Sequence, residues 1–402
     1  MSPRGAWFAV ALLAVGLSLA GCGSSSNVSD PDSQRSASDD SSAVSFEVAA
    51  RRRAVAWLAD QQADDGGWHS QTYGQMRCGV GDTALLVYAL AQLPAEERRA
   101  ARPQIDQGLR FLLANLAPQG FVRAPDAETD YPTYATALAL LTLKQLDAHE
   151  FTVEQIKMIG YLQASQQSAR HGSDQGDPDY GGWNLTGEGE VDARITGETN
   201  ISVTSLALAA LRAHDALDAS ATAAGLAYLG RCQNASPGDG GFFFTPEVSD
   251  PRNKAGVVDA TAEPPAARSY GTTTADGVLG LLACGLATDD DRVRAALGWL
   301  HAHDEVAQVP GIPDTESTVQ AREGLRFYYW AAIARVAERF PDAEFSARRQ
   351  AVVTNLAKLQ SADGSWRNPN PLMREDDPLV ATALALIALS GAPVAPSVPA
   401  AN

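Results

Sequence analysis

Two kinds of helical pattern alternate along the chain. In the first kind, apolar residues recur every three or four positions among charged ones, as at Val293, Leu297 and Leu300, which predicts a helix with one solvent-exposed face. In the second kind nearly every residue is apolar, which predicts a helix buried on all sides. The first kind is predicted at residues 47–62, 102–116, 152–167, 219–233, 289–303 and 344–360. The second kind follows each of these, at 82–93, 131–143, 200–211, 272–286, 324–336 and 377–389.

These six pairs predict an all-α fold. A helix that lacks a polar face must be covered on every side, and a second ring of amphipathic helices provides that cover. The sequence therefore predicts a single α6/α6 toroid, two concentric rings of six helices, over residues 46–392. An open superhelical solenoid is the alternative, but it does not explain why the inner helices lack a polar face.

A short phrase recurs between the paired helices. It consists of Gln at the end of an outer helix, a loop, and then Gly followed by an aromatic residue. Such self-similarity is typical of stacked supersecondary units. The full copies end at Trp68, Trp183, Phe242 and Trp366, and a weaker copy runs Gln119-Gly120-Phe121.

The lengths of the connections predict where a functional site lies. Links from an outer to an inner helix are long, as at 168–199, 234–270 and 304–323. Links from an inner to an outer helix are short, as at Thr288 or 341–343. Long loops on one rim of a rigid scaffold are where sites usually lie. The same rim carries the N-termini of the inner helices, whose free N–H groups favour an anionic or electron-rich group.

The first 45 residues are expected to lie outside the fold. Arg4, the apolar run 6–20 and Leu19-Ala20-Gly21-Cys22 resemble the signal peptide and lipobox of bacterial lipoproteins. That resemblance implies that residues 1–21 are removed and that Cys22 is acylated, which would anchor the chain to the lipid bilayer of a bacterial cell envelope. Residues 22–45 are predicted to be a flexible tether, and 393–402 a disordered C-terminal tail.

Charge and cysteine content exclude some classes of function. A formal net charge of -17 argues against nucleic acid as a partner, because phosphate binding needs clustered Lys and Arg. Cys78, Cys232 and Cys284 remain once Cys22 is assigned to lipid, and they are predicted to be small buried apolar residues. The histidines share no ligand spacing, so no metal and no cofactor are predicted.

The paired helices and the Gln to Gly-Gly-Trp phrases resemble the prenyltransferase and squalene oxidase repeat. This repeat builds the α/α toroids of terpenoid cyclases and protein prenyltransferases, and the likeness extends over residues 46–392. In that family the Gln and the aromatic residue link one outer helix to the next. The resemblance thus implies that Trp68, Trp183, Phe242 and Trp366 are structural.

The known active sites of this family are incomplete here. The acidic Asp-x-Asp-Asp-Thr-Ala motif of squalene-type cyclases corresponds to Gly79-Val80-Gly81-Asp82-Thr83-Ala84, which keeps only the last carboxylate. The prenyltransferase zinc site corresponds to Asp259-Ala260-Thr261, which lacks the thiol. The resemblance therefore implies the fold more strongly than an activity.

Five carboxylates on inner helices or their starts are catalytic candidates: Asp82, Asp276, Glu375, Asp376 and Asp377. Like charges placed closely raise the pKa of at least one partner toward general-acid use. The alternative for the 375–377 cluster is helix capping, because acidic residues are favoured at that position. Asp276 lies a full turn inside an apolar helix, where no cap is needed, so it must be paired or protonated.

Tyrosines on the same helices are candidates for substrate binding. If several face the lumen, they would line an apolar cavity and their ring faces could stabilise a cation. The alternative for each is packing between the two rings. The candidates are Tyr88, Tyr131, Tyr134, Tyr270, Tyr328 and Tyr329.

Three functions fit these patterns. The first is a divergent terpenoid cyclase or prenyltransferase-like toroid lipoprotein that binds or acts on an apolar, isoprenoid-like small molecule in its lumen. The second is a non-catalytic envelope scaffold that binds protein or glycan through its long loops, for which the lumen should be filled by side chains. The third is a carbohydrate-active α6/α6 enzyme, which would need two carboxylates about 5 to 10 Å apart across a polar groove.

Overall fold

A computed structural model describes residues 33–124, 131–169, 172–185, 199–259 and 266–391, with side chains from Phe46 onward. The predicted signal peptide, Cys22 and the C-terminal tail 393–402 lie outside the described residues. Helix α1 begins at Ser33, inside the segment predicted to be a tether, so the start of the first helix is earlier than the predicted boundary at residue 46.

Fourteen α-helices and a two-stranded antiparallel ribbon form the described part of the chain. The outer helices are α1 (Ser33–Gln61), α4 (Arg102–Ala114), α6 (Thr152–Ala164), α8 (Ala219–Arg231), α10 (Asp291–Ala302) and α13 (Ala343–Leu359). The inner helices are α2 (Val80–Ala91), α5 (Pro132–Gln145), α7 (Ile201–Ala213), α9 (Gly271–Ala283), α12 (Arg326–Arg339) and α14 (Pro378–Ser390). The remaining elements are α3 (Ala95–Ala100), α11 (Val319–Gly324), β1 (Val257–Asp259), β2 (Ala266–Ala267) and two 3-10 helices, Gly74–Met76 and His149–Phe151.

The inner helices close into a ring. Each contacts the next in the order α2, α5, α7, α9, α12 and α14, and α14 then contacts α2. Helix α1 contacts both α13 and α14, so the first and last pairs are neighbours. The predicted α6/α6 toroid is confirmed, and the open solenoid is excluded because its end helices would not meet.

The apolar inner helices are buried as predicted. On α14 every residue from Leu379 to Leu389 is buried, and on α5 every residue from Pro132 to Leu143. Such burial removes apolar surface from water on both faces of the inner ring and is the main contribution to folding.

The recurring phrase joins successive repeats, as the resemblance implied. The Gln side-chain amide donates to the loop Gly carbonyl and to a carbonyl of the next outer helix, at 2.8 to 3.1 Å. Each Trp indole N–H donates to the last turn of the preceding outer helix, at 2.8 to 2.9 Å. The donors are Gln62, Gln166, Gln233, Gln360, Trp68, Trp183 and Trp366.

The first Gly of the phrase allows the loop to touch the next outer helix. Gly181 has φ +88, and a Cβ there would lie 1.9 Å from the carbonyl oxygen of Ala224. No side chain fits this contact, and the left-handed conformation also favours glycine. The glycine is therefore required twice over, by its backbone conformation and by the close approach.

A threonine on each of five inner helices completes the link, and the sequence analysis missed it. Its hydroxyl oxygen accepts the backbone N–H of the aromatic residue or its equivalent, at 2.8 to 3.1 Å. The threonines are Thr83, Thr136, Thr204, Thr274 and Thr382. In the weaker copy the residue at the Trp position is Val122, which donates to Thr136, so Phe121 occupies the place of the second Gly.

Candidate functional site

The threonine contacts define which side of each inner helix faces the lumen. Residues about half a turn away from each threonine point inward, because an α-helix has 3.6 residues per turn. On α14 the inward residues are Val380, Leu384 and Ile387. They keep 6%, 3% and 2% of their surface exposed, whereas Ala381 and Thr382 are completely buried. The lumen is therefore narrow and lined by side chains that leave only traces of open surface.

Asp276 lies on the lumen side of α9, two residues after Thr274. It is completely buried, and its Oδ2 accepts hydrogen bonds from Ser202 Oγ at 2.5 Å and from Tyr328 Oη at 2.6 Å. These partners come from α7 and α12, on either side of α9, so three helices converge on one carboxyl group. The Oδ1 atom has no hydrogen-bond partner among the described residues.

Burial raises the pKa of Asp276 to about 7. The hydrogen bonds from Ser202 and Tyr328 and the charge of Arg335 act in the opposite direction but do not offset the desolvation. Because both hydrogen bonds go to Oδ2, the proton of the neutral acid resides on Oδ1. With this pKa both the acid and the carboxylate are populated near neutral pH, and in the acid form the O–H is directed away from Ser202 and Tyr328.

Three further hydroxyl groups, on inner helices or at their starts, lack a hydrogen-bond partner among the described residues. Within the described part of the chain, the hydroxyl groups of Tyr134, Tyr270 and Thr272 are buried and make no hydrogen bond. Buried polar groups are normally satisfied, so such a group needs an explanation, often an unseen water or ligand. Burial raises the pKa of Tyr134, and the charge of Asp82 and the hydroxyl of Tyr88 raise it further. Asp82, Tyr88 and Tyr134 therefore form one group on α2 and α5.

The 375–377 cluster caps helices, which was the alternative interpretation. Asp377 Oδ1 accepts the N–H of Leu379 at 2.9 Å, and Ser70 Oγ donates to its Oδ2. Glu375 caps a different helix, α12, because its two oxygens accept the N–H groups of Phe327 and Tyr328 at 3.0 and 2.8 Å. Burial raises the pKa of Glu375 to about 7.

Asp376 completes this cluster at the edge of the fold. Its Oδ1 accepts a 2.5 Å hydrogen bond from Tyr73 Oη, whose ring lies under the Arg374 guanidinium at 5.4 Å from the ring centre. The three carboxylates together hold the loop before α14 in place. A catalytic role for Glu375, Asp376 and Asp377 stays a prediction.

Three candidate tyrosines lie away from Asp276 or at the rim. The Tyr329 side chain packs toward the outer helices, since a Cβ on Gly271 would lie 2.7 Å from its aromatic ring. Burial raises the pKa of Tyr329, and the charge of Arg348 on α13 offsets part of that rise. A role for Tyr329 in substrate binding stays a prediction. Tyr131 precedes α5 and is half-buried, and Tyr270 precedes α9 with its hydroxyl close enough to Asp276 for that charge to raise its pKa.

The lumen also contains a cation that the sequence analysis missed. Arg335 on α12 is 5% exposed, and its guanidinium lies 5.8 Å from the centre of the Tyr88 ring on α2. Helices α12 and α2 are not neighbours in the ring, so this contact spans the lumen. A single Arg inside the apolar run from Ala331 to Ala337 was the available signal.

No group of three or more metal-binding side chains occurs in the ranges that the structure describes. Within the same ranges, no helix has the length and apolar character needed to cross a membrane.

Comparisons with known proteins identify the fold. No protein-family model and no curated protein sequence matches the chain. The type II terpene cyclase MstE from Scytonema is similar in structure, with a TM-score of 0.57 and 17% identity over 86% of this chain and 97% of that one. A protein from Actinoplanes gives a TM-score of 0.56 with 17% identity, covering 85% and 98%.

A family 76 glycoside hydrolase (mannosidase) from Bacteroides thetaiotaomicron has the same architecture. Its TM-score is 0.53 with 10% identity, over 86% of this chain and 97% of that one. Identities this low establish the fold alone, because toroids of one shape carry different chemistries. The chain thus has the α/α toroid fold shared by terpene cyclases and this glycoside hydrolase.

Proposed function

We propose that this protein is a toroid enzyme that binds an apolar, isoprenoid-like molecule in its lumen and protonates it with Asp276. The observation that carries the proposal is the buried carboxyl group whose Oδ2 is fixed by Ser202 and Tyr328 while Oδ1 has no partner. A carboxylic acid kept neutral by burial is suited to general-acid work at neutral pH. The structural likeness to type II terpene cyclases agrees with this chemistry.

The reaction is an acid-catalysed isomerisation. The Oδ1–H bond breaks, and the proton forms a C–H bond with one carbon of an alkene, using the π electron pair. The other alkene carbon becomes a cation. The Asp276 carboxylate then takes up a proton from a neighbouring carbon, the electrons of that C–H bond form the new double bond, and the acid is regenerated, so the product is an isomer of the substrate. Ser202 and Tyr328 stabilise the carboxylate that forms, because both hydrogen bonds strengthen toward an anion.

A glycosidase activity has less support. Glycosidases use two carboxylates across a groove that holds the sugar. Here Glu375 and Asp377 accept backbone N–H groups, and Asp276 is held by the hydroxyl groups of Ser202 and Tyr328. No second carboxylate is seen to pair with Asp276 among the described residues, as a glycosidase would need.

The test is turnover of farnesol and geranylgeraniol by the purified full chain in deuterated water. We expect products that carry one deuteron on carbon, detected by gas chromatography and mass spectrometry. Asp276→Asn should reduce the rate at least 100-fold. Asp82→Asn is the matched control, because it changes another buried carboxylate of the inner ring and should keep most of the activity.

Three outcomes count against the proposal. Loss of activity in Asp82→Asn but not in Asp276→Asn would identify Asp82 on α2 as the general acid instead. Turnover of mannan instead of the alcohols would favour the carbohydrate function. Absence of both binding and turnover would favour the non-catalytic scaffold, with which the narrow lumen also agrees.

We also propose that acylated Cys22 holds the protein on the bilayer of a bacterial cell envelope. The sequence Leu19-Ala20-Gly21-Cys22 supports this, together with the apolar run before it. Cells fed a labelled fatty acid should label the wild-type chain and not Cys22→Ser, and the variant should leave the membrane fraction. Equal labelling of both proteins would contradict the proposal.

A further inference from the structure

The outer surface of helix α6 exposes large apolar side chains. Val153 and Ile156 each keep 62% of their surface exposed, more than any other large apolar residue that the structure describes. Gly160 and Gln163 follow on the next two turns and are exposed as well. Residues three or four positions apart lie on one side of a helix, so these four form a single uncharged stripe.

Helix α8 lies beside α6 and extends the stripe into a wider face. Gln163 Nε2 donates to the carbonyl oxygen of Ala216, just before α8, at 2.8 Å. Every other outer helix exposes at least one charged side chain, whereas the exposed residues of α8 are all uncharged. They are Ala219, Ser220, Ala223, Ala227 and Gly230.

The repeats provide an internal comparison for this face. In five of them a backbone carbonyl of the outer helix lies against the loop Gly of the preceding phrase, which sets the helices in register. The carbonyl belongs to Arg53, Gln107, Lys157, Ala224 or Ala295, on α1, α4, α6, α8 and α10. One residue earlier in each helix lie Arg52, Asp106, Ile156, Ala223 and Arg294. Three helices carry a charged residue where α6 has Ile156, so the packing of the ring does not require an apolar residue there.

The charges of the chain indicate what covers this face. The formal net charge is -17, so most of the surface repels a second copy, whereas two uncharged faces can meet. Glu154 and Lys157 lie beside Ile156, and neither forms an ion pair within the described residues. Two copies related by a two-fold axis present these opposite charges to each other.

A lipid surface fits the same face less well. Anionic bilayers attract clusters of Lys and Arg. Lys157 is the one exposed cation on the two described helices α6 and α8, and Glu154 lies next to it. The face is therefore closer to a small protein interface, with apolar residues in the middle and a few charges around them.

We infer that the α6–α8 face, formed by Val153, Ile156 and Gly160 with Ala223 and Ala227, binds a second copy of this chain. The two-fold axis crosses both helices at the level of Ile156 and Ala223, so α6 packs antiparallel to α6 of the second copy, and α8 to α8. Because Glu154 and Lys157 lie on opposite sides of this level, Glu154 of each copy faces Lys157 of the other.

The size of the face sets the strength of the association. Two helices about 20 Å long and about 9 Å apart give an interface at the small end of the range for protein complexes. Dissociation constants of small interfaces lie in the micromolar range. The small residues of α8 favour the contact, because they allow the backbones of two helices to approach closely.

The first test is charge reversal in the full chain. Sedimentation velocity from about 1 µM to about 1 mM brackets the affinity of a small interface, and wild type should dimerise within this range. Glu154→Lys and Lys157→Glu should each weaken self-association about tenfold or more, because like charges then oppose each other twice. An equimolar mixture of the two variants should recover the dimer, since unlike charges oppose each other at both contacts.

The second test removes the apolar contact without unfolding the chain. Ile156→Arg should abolish the dimer and keep the thermal stability of the monomer, because α1 and α10 already carry Arg at this position. Val258→Arg is the matched control, since Val258 is 56% exposed but lies on β1, and it should dimerise like wild type. Ala223→Cys lies beside the axis and should form a disulfide between copies on oxidation, whereas exposed Ala347→Cys on α13 should not.

Three outcomes would overturn the inference. The first is a wild-type chain that stays monomeric over the whole range, and the second is a mixture of the charge-reversed variants that associates no better than either alone. The third is binding to phosphatidylglycerol vesicles that Ile156→Arg abolishes while wild type stays monomeric, with Cys22→Ser in both chains. That result would assign the face to a lipid surface instead.

Discussion

Gln360 Nε2 donates to the carbonyl oxygen of Ala50 at 2.9 Å, and the two residues are 310 positions apart. The same nitrogen contacts the Gly364 carbonyl at 2.9 Å, and the Gln360 Oε1 accepts from Arg53. Gln166 makes the equivalent pair of bonds inside the ring, to Gly181 and Ala221. The seam between the last and the first repeat is therefore built by the same contacts as the other interfaces.

Gln360→Ala should weaken this seam specifically. Loss of the two bonds of the amide should lower the free energy of unfolding by about 1 to 3 kcal/mol, because each hydrogen bond contributes about 1 kcal/mol and the Ala50 carbonyl loses its donor. Hydrogen exchange should become faster in α13 and α1. Gln166→Ala is the matched control, with a similar loss of stability but faster exchange in α6 and α8. The same pattern of hydrogen exchange in both variants would show that the effect of Gln360→Ala is not confined to the seam.

Gly181→Ala should destabilise the fold far more than Gly256→Ala. Both glycines have positive φ, +88 and +72, but a Cβ on Gly181 would lie 1.9 Å from the Ala224 oxygen, whereas a Cβ on Gly256 meets nothing within 4 Å. Gly256→Ala therefore introduces only the strain of an alanine in the left-handed conformation, about 1 to 2 kcal/mol. Gly181→Ala must also separate α8 from its loop and should lower the urea midpoint several times as much. Similar midpoints for the two variants would show that the contact is not close.

Thr204→Val should be destabilising even though valine fills the same space. The Thr204 hydroxyl oxygen accepts the Trp183 N–H at 3.0 Å, and both groups are buried. Valine leaves that N–H without a partner, which costs about 1 to 3 kcal/mol. Thr204→Ser keeps the oxygen and should recover most of the stability in urea unfolding. Equal losses in the two variants would assign the effect to the methyl group instead.

The stability difference between Asp276→Asn and wild type should depend on pH. The folded-state pKa of Asp276 is raised to about 7 from its ordinary value near 3.8. The folded state therefore holds the proton more tightly than the unfolded chain, and this stabilisation is complete below pH 4 and lost as the pH rises through 7. Asparagine stays neutral, so urea midpoints should shift in favour of the variant between pH 5 and pH 8. Glu375 titrates in the same direction in both proteins and cancels. A difference independent of pH would mean that Asp276 is ionised throughout.

The toroid was predictable because its determinants repeat six times. Helices that are apolar on all sides predicted the inner ring, and their amphipathic partners predicted the outer ring. The Gln and Gly-Gly-Trp phrases predicted the contacts between successive repeats. The contribution of Thr204 and its equivalents was not predictable, because a threonine in an apolar helix resembles any other small residue until its outer neighbour is known. The weaker copy was misaligned by one residue for the same reason: only the Val122 contact with Thr136 shows which residue is in the Trp position.

The site was predicted less completely than the fold. Burial of Asp276 followed from a carboxylate inside an apolar helix, but Ser202 and Tyr328 come from helices more than 50 residues away in the chain. Neighbouring tyrosines could not be assigned a direction from the sequence: Tyr328 faces Asp276, whereas Tyr329 faces Gly271. Arg335 could have been noticed as an isolated charge, but its contact across the lumen depends on closure.

The meeting of α1 with α14 has a consequence for connectivity. Arg51 donates to the Leu389 carbonyl at 2.8 Å, and Arg349 donates to both Glu47 and the Gly391 carbonyl, so the two ends of the folded ring are joined side by side. Because the repeats form a closed ring, their packing does not depend on which repeat comes first in the chain. A circular permutant that links residue 391 to residue 46 and is cut in the short turn between α9 and α10 retains every one of these interfaces.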